Sequence, residues 1–309
     1  MRYVEVDGLR LSVIGLGTWQ FGSREWGYGA TYARDTAPAI VRRAIELGVT
    51  LIDTAEIYGF GRSERIVGQA IARQRDAVIL ATKLVPLLPL RSVVDWQVRG
   101  SLRRLGVTAI DLYQVHVPNP LVSPRSTVAP LRALLNQGLV HHVGVSNHSL
   151  GRWRASERGL GHPILTNQVR FSLAAPLPHW ELVPYAREEG RVVIAYSPLA
   201  QGLLCGGHSP GSPAPADVRR RSALFRPRSL RLAEPLLAAL REVAVAHAAT
   251  PAQVALAWLI GHGNVVAIPG ARTVAQLEAN VAAAELELDG PELDKLTAEA
   301  ARFELAVRR

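Results

Sequence analysis

The chain holds 309 residues, 48% hydrophobic and 20% charged, which is enough apolar material for a large core and excludes a disordered or disulfide-stapled peptide. Its formal charge of +9 comes from 35 basic and 26 acidic residues, and only two of the basic ones, Lys83 and Lys295, are lysines. The lone cysteine, Cys205, excludes an internal disulfide framework or a cysteine-based zinc site, and no metal site is expected. No apolar run approaches the ~18 residues of a membrane span. The N-terminus, MRYVEVDGLR, lacks the apolar stretch of a secretory signal, so a cytoplasmic location is expected. The basic charge reads mainly as an arginine-rich compositional background, with no aromatic-interleaved basic stripe to suggest nucleic acid.

Taken in chain order, short apolar, β-branched runs at 11–16, 50–53, 77–81, 109–115, 143–146, 164–169, 191–196 and 265–268 predict eight strands. Amphipathic stretches at 35–47, 63–73, 92–105, 125–137, 150–158, 180–189, 251–262 and 274–283 predict the helices between them, several closed by a glycine such as Gly48, Gly106, Gly138 or Gly190. Two further helices are expected, at 230–248 after the seventh strand and at 290–302 near the C-terminus. Residues 206–229, rich in Gly, Pro and Ser, read as a mobile loop. This alternation predicts an α/β fold, a (β/α)8 TIM barrel forming a single domain over 1–309. A doubly wound dinucleotide fold fits less well, because Gln20 stands where the glycine-rich turn 15–20 would need its third glycine.

The expected strands end in polar residues that a core does not need: Asp53, Lys83 just past the third, His116, Ser146 with Asn147, Gln168, and Tyr196 with Ser197. In a parallel barrel these ends share one face, where the active site of the fold lies. A lysine at an apolar rim needs an anion or must shed its proton, and Asp53 is on the neighbouring strand. Tyr58 follows on the loop leaving that strand. A phenol with an ordinary pKa of ~10 becomes a usable acid when an ammonium stabilises its phenolate. His116 can orient the same reacting oxygen or pass on a proton.

Together the segments 15–19 (GLGTW), 53–59 (DTAEIYG) with Ser63 and Glu64, 81–83 (ATK), 101–106 with 111–116 (SLRRLG, DLYQVH), 144–147 (GVSN), 167–168 (NQ), 195–199 (AYSPL) and 268–270 (IPG) resemble the aldo-keto reductases. The resemblance runs from about residue 10 to 284, in the family's order. It implies NADPH-dependent reduction of an aldehyde or ketone, with NAD(H) possible as cofactor. Tyr58 would donate the proton, Lys83 would lower its pKa, Asp53 would anchor Lys83, and His116 would orient the carbonyl. Tyr196 would stack on the nicotinamide, with Ser146, Asn147 and Gln168 on its carboxamide. Ser197, Pro198, Leu199, Gln201 and Gly202 would surround the pyrophosphate, with Gly17, Thr18, Trp19 and Asp53 beside the cofactor.

At the adenine end the segments 268–272 (IPGAR) and 276–280 (QLEAN) bring in Ile268, Gly270, Arg272, Gln276 and Asn280, with Arg272 as the 2′-phosphate ligand. Substrate walls are expected from Trp19, Phe21, Trp26, Tyr28, His116, Val117, Pro118 and Phe171, whose aromatic character favours an apolar carbonyl. The expected partner is a small-molecule carbonyl, with no nucleic acid and no membrane, and the expected state is a monomer or weak oligomer. Two other readings stand beside this one. One is a nicotinamide-binding regulatory subunit with little turnover, like those that attach to membrane channels; the other is a barrel lyase using Lys83 as a Schiff-base nucleophile.

Overall fold

The computed structural model describes residues 1–22, 26, 29–209, 211–212, 215 and 217–308. The chain opens with an antiparallel hairpin, β1 (Tyr3–Val6) and β2 (Leu9–Ser12), turned at Asp7 and Gly8, both left-handed. Eight parallel strands follow: β3 (Leu16–Gly17), β4 (Leu51–Asp53), β5 (Ile79–Leu84), β6 (Ile110–Val115), β7 (Val140–Ser146), β8 (Thr166–Arg170), β9 (Val192–Tyr196) and β10 (Val265–Ala267). They pair in sequence order, and a parallel bridge from Ile14 to Ala267 joins the two ends of the sheet. Two bonds close that seam, Gly15 N–H to Ala267 O at 2.8 Å and Ala267 N–H to Val13 O at 2.9 Å. The fold is a (β/α)8 barrel.

The expected first strand, 11–16, is divided by the structure. Leu11 and Ser12 belong to the hairpin, and only Leu16 and Gly17 reach the barrel ladder. The apolar run is real but serves two purposes. Val6, Leu9 and Leu11 pack with Leu51, Ala81, Leu112, Leu165, Val192, Ile194 and Val266, so the hairpin plugs one end of the barrel with apolar side chains. The larger apolar cluster lies between the strands and the surrounding helices.

Other boundaries shift for local reasons. The stretch 125–137 breaks into Pro124–Val128 and Leu131–Asn136, because Pro130 cannot continue the first helix. The helix expected at 35–47 is Ala37–Glu46, entered through a π-helical turn, Tyr32–Thr36. Helix 63–73 runs Arg62–Ile71, 92–105 runs Arg91–Leu105, and 150–158 runs Leu150–Leu160. Within the expected loop 206–229, Val218–Arg221 and Ala223–Phe225 form 3-10 turns, and the next helix already begins at Pro227 and runs to Ala246. The C-terminal helix covers Gly290–Arg308. Among the described residues no single helix is long and apolar enough to cross a membrane.

Candidate active site

The strand β5 is longer than its apolar run suggests, so Lys83 lies inside the ladder, opposite Gln114 of β6. There it is fully buried. Its ammonium donates to Asp53 Oδ2 at 2.5 Å, to the carbonyl of Thr54 at 2.9 Å and to Tyr58 Oη at 3.3 Å. All three N–H bonds therefore have acceptors. Asp53 is equally well held, since its Oδ1 accepts from Gln114 Nε2 at 3.1 Å and from Gln168 Nε2 at 2.7 Å. Gly144 leaves the room for Gln114, as a Cβ there would come 2.9 Å from Gln114 Cγ and 2.3 Å from Thr166 Oγ1.

Tyr58 sits on the turn between β4 and the helix Arg62–Ile71, and a hydroxyl network fixes that turn. Ser63 Oγ donates to the carbonyl of Thr18 at 2.9 Å and accepts from Thr54 Oγ1 at 2.9 Å, while Thr18 Oγ1 donates to the carbonyl of Asp53 at 2.9 Å. Beneath it, buried Glu64 accepts from Thr82 Oγ1 at 2.7 Å and from Arg104 Nε at 2.5 Å. Gly59 must be glycine: its φ is +57°, and a Cβ would fall 2.2 Å from the carbonyl oxygen of Gly22.

Burial pushes the Tyr58 phenol above its ordinary value, and the Lys83 ammonium opposes that rise only in part. The lowered phenol expected from an adjacent ammonium is not reached, because desolvation outweighs the charge. Burial also works to strip the proton from Lys83, but the Asp53 carboxylate and Tyr58 outweigh it and hold the ammonium above its usual value. His116 lies one residue beyond β6, its ring edge-on to that of Tyr58 with centroids 5.8 Å apart. Burial, and then the charge of Lys83, pushes its pKa down to about 3, so the ring is neutral near pH 7.

Tyr58 and His116 open into a cavity of about 1150 Å³. Its wall includes every residue expected beside a cofactor: Gly17, Thr18, Trp19, Asp53, Ser146, Asn147, Gln168, Tyr196, Ser197, Pro198, Leu199, Gln201, Gly202, Ile268, Gly270, Arg272, Gln276 and Asn280. Tyr196 Oη donates to Asn147 Oδ1 at 3.0 Å, and Asn147 Nδ2 donates to Ser146 Oγ at 3.0 Å. Asn147 adopts a left-handed backbone, which asparagine tolerates better than most residues. At the far end Arg272 N–H donates to Gln276 Oε1 at 2.8 Å.

The expected substrate walls divide. Trp19, Trp26, His116 and Val117 line the cavity, with the Trp19 and Trp26 rings edge to face at 5.2 Å. Phe21 does not. It lies two positions along a helical turn from Trp19, on its other side, and packs against Tyr32 in the core. Phe171 is also buried away from the cavity, against Trp258 and His262 of the helical layer, and Pro118 does not reach the wall. Tyr28 lies outside the described residues. Sequence reasoning missed Gln114, whose signal was a glutamine next to the last residue of its strand, and the wall residues Ile57, Phe60, Arg62, Cys205 and Arg219.

Residues 13–300 match the model of the aldo/keto reductase family. The chain belongs to that family. An uncharacterized oxidoreductase of Mycobacterium tuberculosis is 54% identical over 305 residues, covering 98% of this chain and 94% of that protein. A methylglyoxal reductase of Escherichia coli is 34% identical over 290 residues, covering 93% and 90%. Among solved structures of aldo/keto reductase fold, the glycerol dehydrogenase of Gluconobacter oxydans superimposes with a TM-score of 0.88 at 28% identity, covering 97% of this chain and 95% of that one. An aldo/keto reductase from Klebsiella pneumoniae, in complex with NADP and acetate, matches with a TM-score of 0.77 at 32% identity, covering 96% and 94%.

Proposed function

We propose that this aldo/keto reductase uses NADPH to reduce aldehydes or ketones to alcohols, with Tyr58 as the proton donor. The observation that carries the reading is the chain of contacts Asp53–Lys83–Tyr58 at the floor of one cavity. The volume of about 1150 Å³ exceeds the ~300–1,000 Å³ of ordinary small-ligand sites, leaving room for a dinucleotide and a substrate together. Gln201 Oε1 and His116 Nδ1 are buried without hydrogen-bond partners, as expected of groups that complete their bonding with ligands. The NADP-bound Klebsiella relative supports the same cofactor.

When bound, the dihydronicotinamide supplies the hydride. The protein supplies position and the proton. Because Lys83 donates to a lone pair of Tyr58 Oη, the phenol is left to donate its own O–H into the cavity. The carbonyl oxygen accepts there, and the neutral His116 ring can offer a second N–H to it. As the proton passes to the forming alkoxide, the phenolate develops beside the ammonium of Lys83, which Asp53 keeps charged. Gln168 Nε2 is engaged by Asp53, so its Oε1 is the atom available to a carboxamide N–H. Trp19, Trp26, Ile57, Phe60 and Val117 give the substrate end an apolar wall that disfavours water and favours an apolar carbonyl.

The same contacts argue against Lys83 as a Schiff-base nucleophile. Its nitrogen is charged, buried and fully hydrogen-bonded, whereas an amine nucleophile needs a free lone pair. A regulatory subunit with little turnover would not need the catalytic contacts intact. Turnover decides between the two: the purified protein is expected to oxidise NADPH when given an activated aldehyde, followed by nicotinamide absorbance. No oxidation across a panel of aldehydes and ketones with either dinucleotide contradicts the reading.

A further inference from the structure

The turn that carries Tyr58 is strained. Gly59, Phe60 and Gly61 all have left-handed backbones, with φ of +57°, +55° and +78°. A bulky residue such as Phe60 keeps that conformation only where its surroundings impose it. Its own side chain imposes little, being 92% exposed. The restraint comes from beneath the turn, from Arg104 in the last turn of the helix Arg91–Leu105. The Arg104 side chain lies directly against Gly61, where a Cβ would fall 2.4 Å from its Cδ and 2.6 Å from its Nε. Its Nε donates to Glu64 Oε2 at 2.5 Å, while Nη2 donates to Ser101 Oγ at 3.1 Å and lies 4.0 Å from Glu56 Oε2.

One guanidinium thus spans two carboxylates that stand on either side of Tyr58 in the chain. Each carboxylate is tied in turn to the strand that carries Lys83. Glu64 Oε1 accepts from Thr82 Oγ1 at 2.7 Å, one residue before Lys83, and Glu56 Oε1 accepts from Val85 N–H at 2.7 Å, two residues after it. Among the described residues Arg104 is the one cation paired with either acid. Glu64 is fully buried and Arg104 only 23% exposed, so water and salt screen the contact weakly. We propose that Arg104 is a positioning residue for carbonyl reduction: by clamping both ends of the turn 56–64 against β5, it sets the approach of Tyr58 Oη to Lys83 Nζ. This rests on the reading of Tyr58 as the proton donor. Arg104 itself does not line the cavity, so its loss should slow the chemical step and leave binding alone. Misplacing a reacting group by ~1 Å can cost on the order of 100-fold in rate.

The test is steady-state reduction of an activated aldehyde by the wild-type protein, Arg104→Met, Arg104→Lys, Tyr58→Phe and the double variant Arg104→Met with Glu64→Gln. In each, kcat is counted per NADPH-binding site, from a fluorescence titration of the same sample. The double variant leaves no unpaired carboxylate at position 64, so it reads the clamp even where Arg104→Met alone does not fold. Both methionine variants are expected to lose about tenfold to a hundredfold in kcat per site, with KM and the NADPH Kd within about twofold of wild type. Arg104→Lys is expected to recover only part of that loss, since an ammonium reaches one carboxylate but does not bridge two. A residue that merely supports the fold would lower the number of binding sites and leave kcat per site unchanged. That result in the double variant overturns the inference, as does wild-type kcat per site in Arg104→Lys or a loss that falls equally on NADPH affinity. Wild-type turnover in Tyr58→Phe contradicts the proton-donor reading and this inference with it, whereas an inactive Tyr58→Phe beside an unimpaired double variant contradicts this inference alone.

Discussion

Lys83 Nζ lies 3.3 Å from Tyr58 Oη while its other two N–H bonds go to Asp53 and to the carbonyl of Thr54. The ammonium cannot turn away from the phenol without straining the other two. Its position is thus fixed by the protein and not by the substrate, which is the condition for electrostatic help that needs no reorganisation during the reaction. Replacing Lys83 with methionine removes that help and leaves Asp53 buried without its cation. Loss of one partner of a buried pair costs ~3–5 kcal/mol, so a urea melt should show destabilisation of that order, with turnover reduced by at least ~100-fold. Near-wild-type stability would mean that Asp53 is adequately held by Gln114 and Gln168 alone.

The rate of carbonyl reduction should be flat through neutral pH and fall only in the alkaline range, because burial holds the Tyr58 phenol above its ordinary value and only its protonated form is the acid. The reverse oxidation, which needs the deprotonated phenol, should rise with pH over the same range. His116, pushed down to about 3, should contribute no inflection near its ordinary 6.5. A step in kcat between pH 6 and 7, unshifted by substrate, would assign His116 a proton-transfer role that this account does not give it.

Away from the site, His262 and His179 make a half-buried pair, Nδ1 of His179 lying 2.7 Å from Nε2 of His262. His262 Nδ1 donates to the carbonyl of Trp258 at 2.9 Å, so its Nε2 accepts and His179 must be the donor. Burial, then His179, pushes His262 from 6.5 down to about 4. A folded-state value below the unfolded one means that stability is complete above about 6.5 and is lost as pH falls toward about 4. Folding free energy should therefore drop by about 3 kcal/mol across that window. His262→Gln should flatten this dependence, and an equally steep loss in the variant would locate the sensitivity elsewhere.

Gly59→Ala should be among the most damaging single-methyl changes in the protein. The residue has φ +57° and its Cβ would fall 2.2 Å from a backbone oxygen of Gly22. The left-handed backbone alone costs an alanine roughly 1–2 kcal/mol. Relief of the clash must move the turn that carries Tyr58, so kcat should fall more than KM rises. Unaltered kinetics would show that the turn can relax without moving the phenol.

Much of this site was legible in the sequence because a parallel barrel gathers its strand ends. Asp53, Ser146, Gln168 and Tyr196 each stand at or near the end of an apolar run, and all line the cavity. The side on which a loop aromatic falls was not legible. Phe21 and Phe171 are bulky residues near the right strands, but the helical turn and the outer layer take them into the core. Strand ends set by pairing rather than by apolarity were also hidden, which is why Lys83 proved to lie within β5 and why Leu11 proved to be a plug. The near-absence of lysine gains meaning from this burial. At Lys83 a compact ammonium fits among Asp53, the Thr54 carbonyl and Tyr58, where the broad arginine fork would not.

The measurement that bears most directly on the central claim is the comparison of Tyr58→Phe with the wild-type protein in NADPH-dependent reduction of an activated aldehyde, alongside the NADPH dissociation constant of each. The account predicts a loss of kcat on the order of 10²–10⁴ with cofactor affinity within about twofold, since the variant lacks only the proton. Turnover in Tyr58→Phe equal to wild type would contradict it.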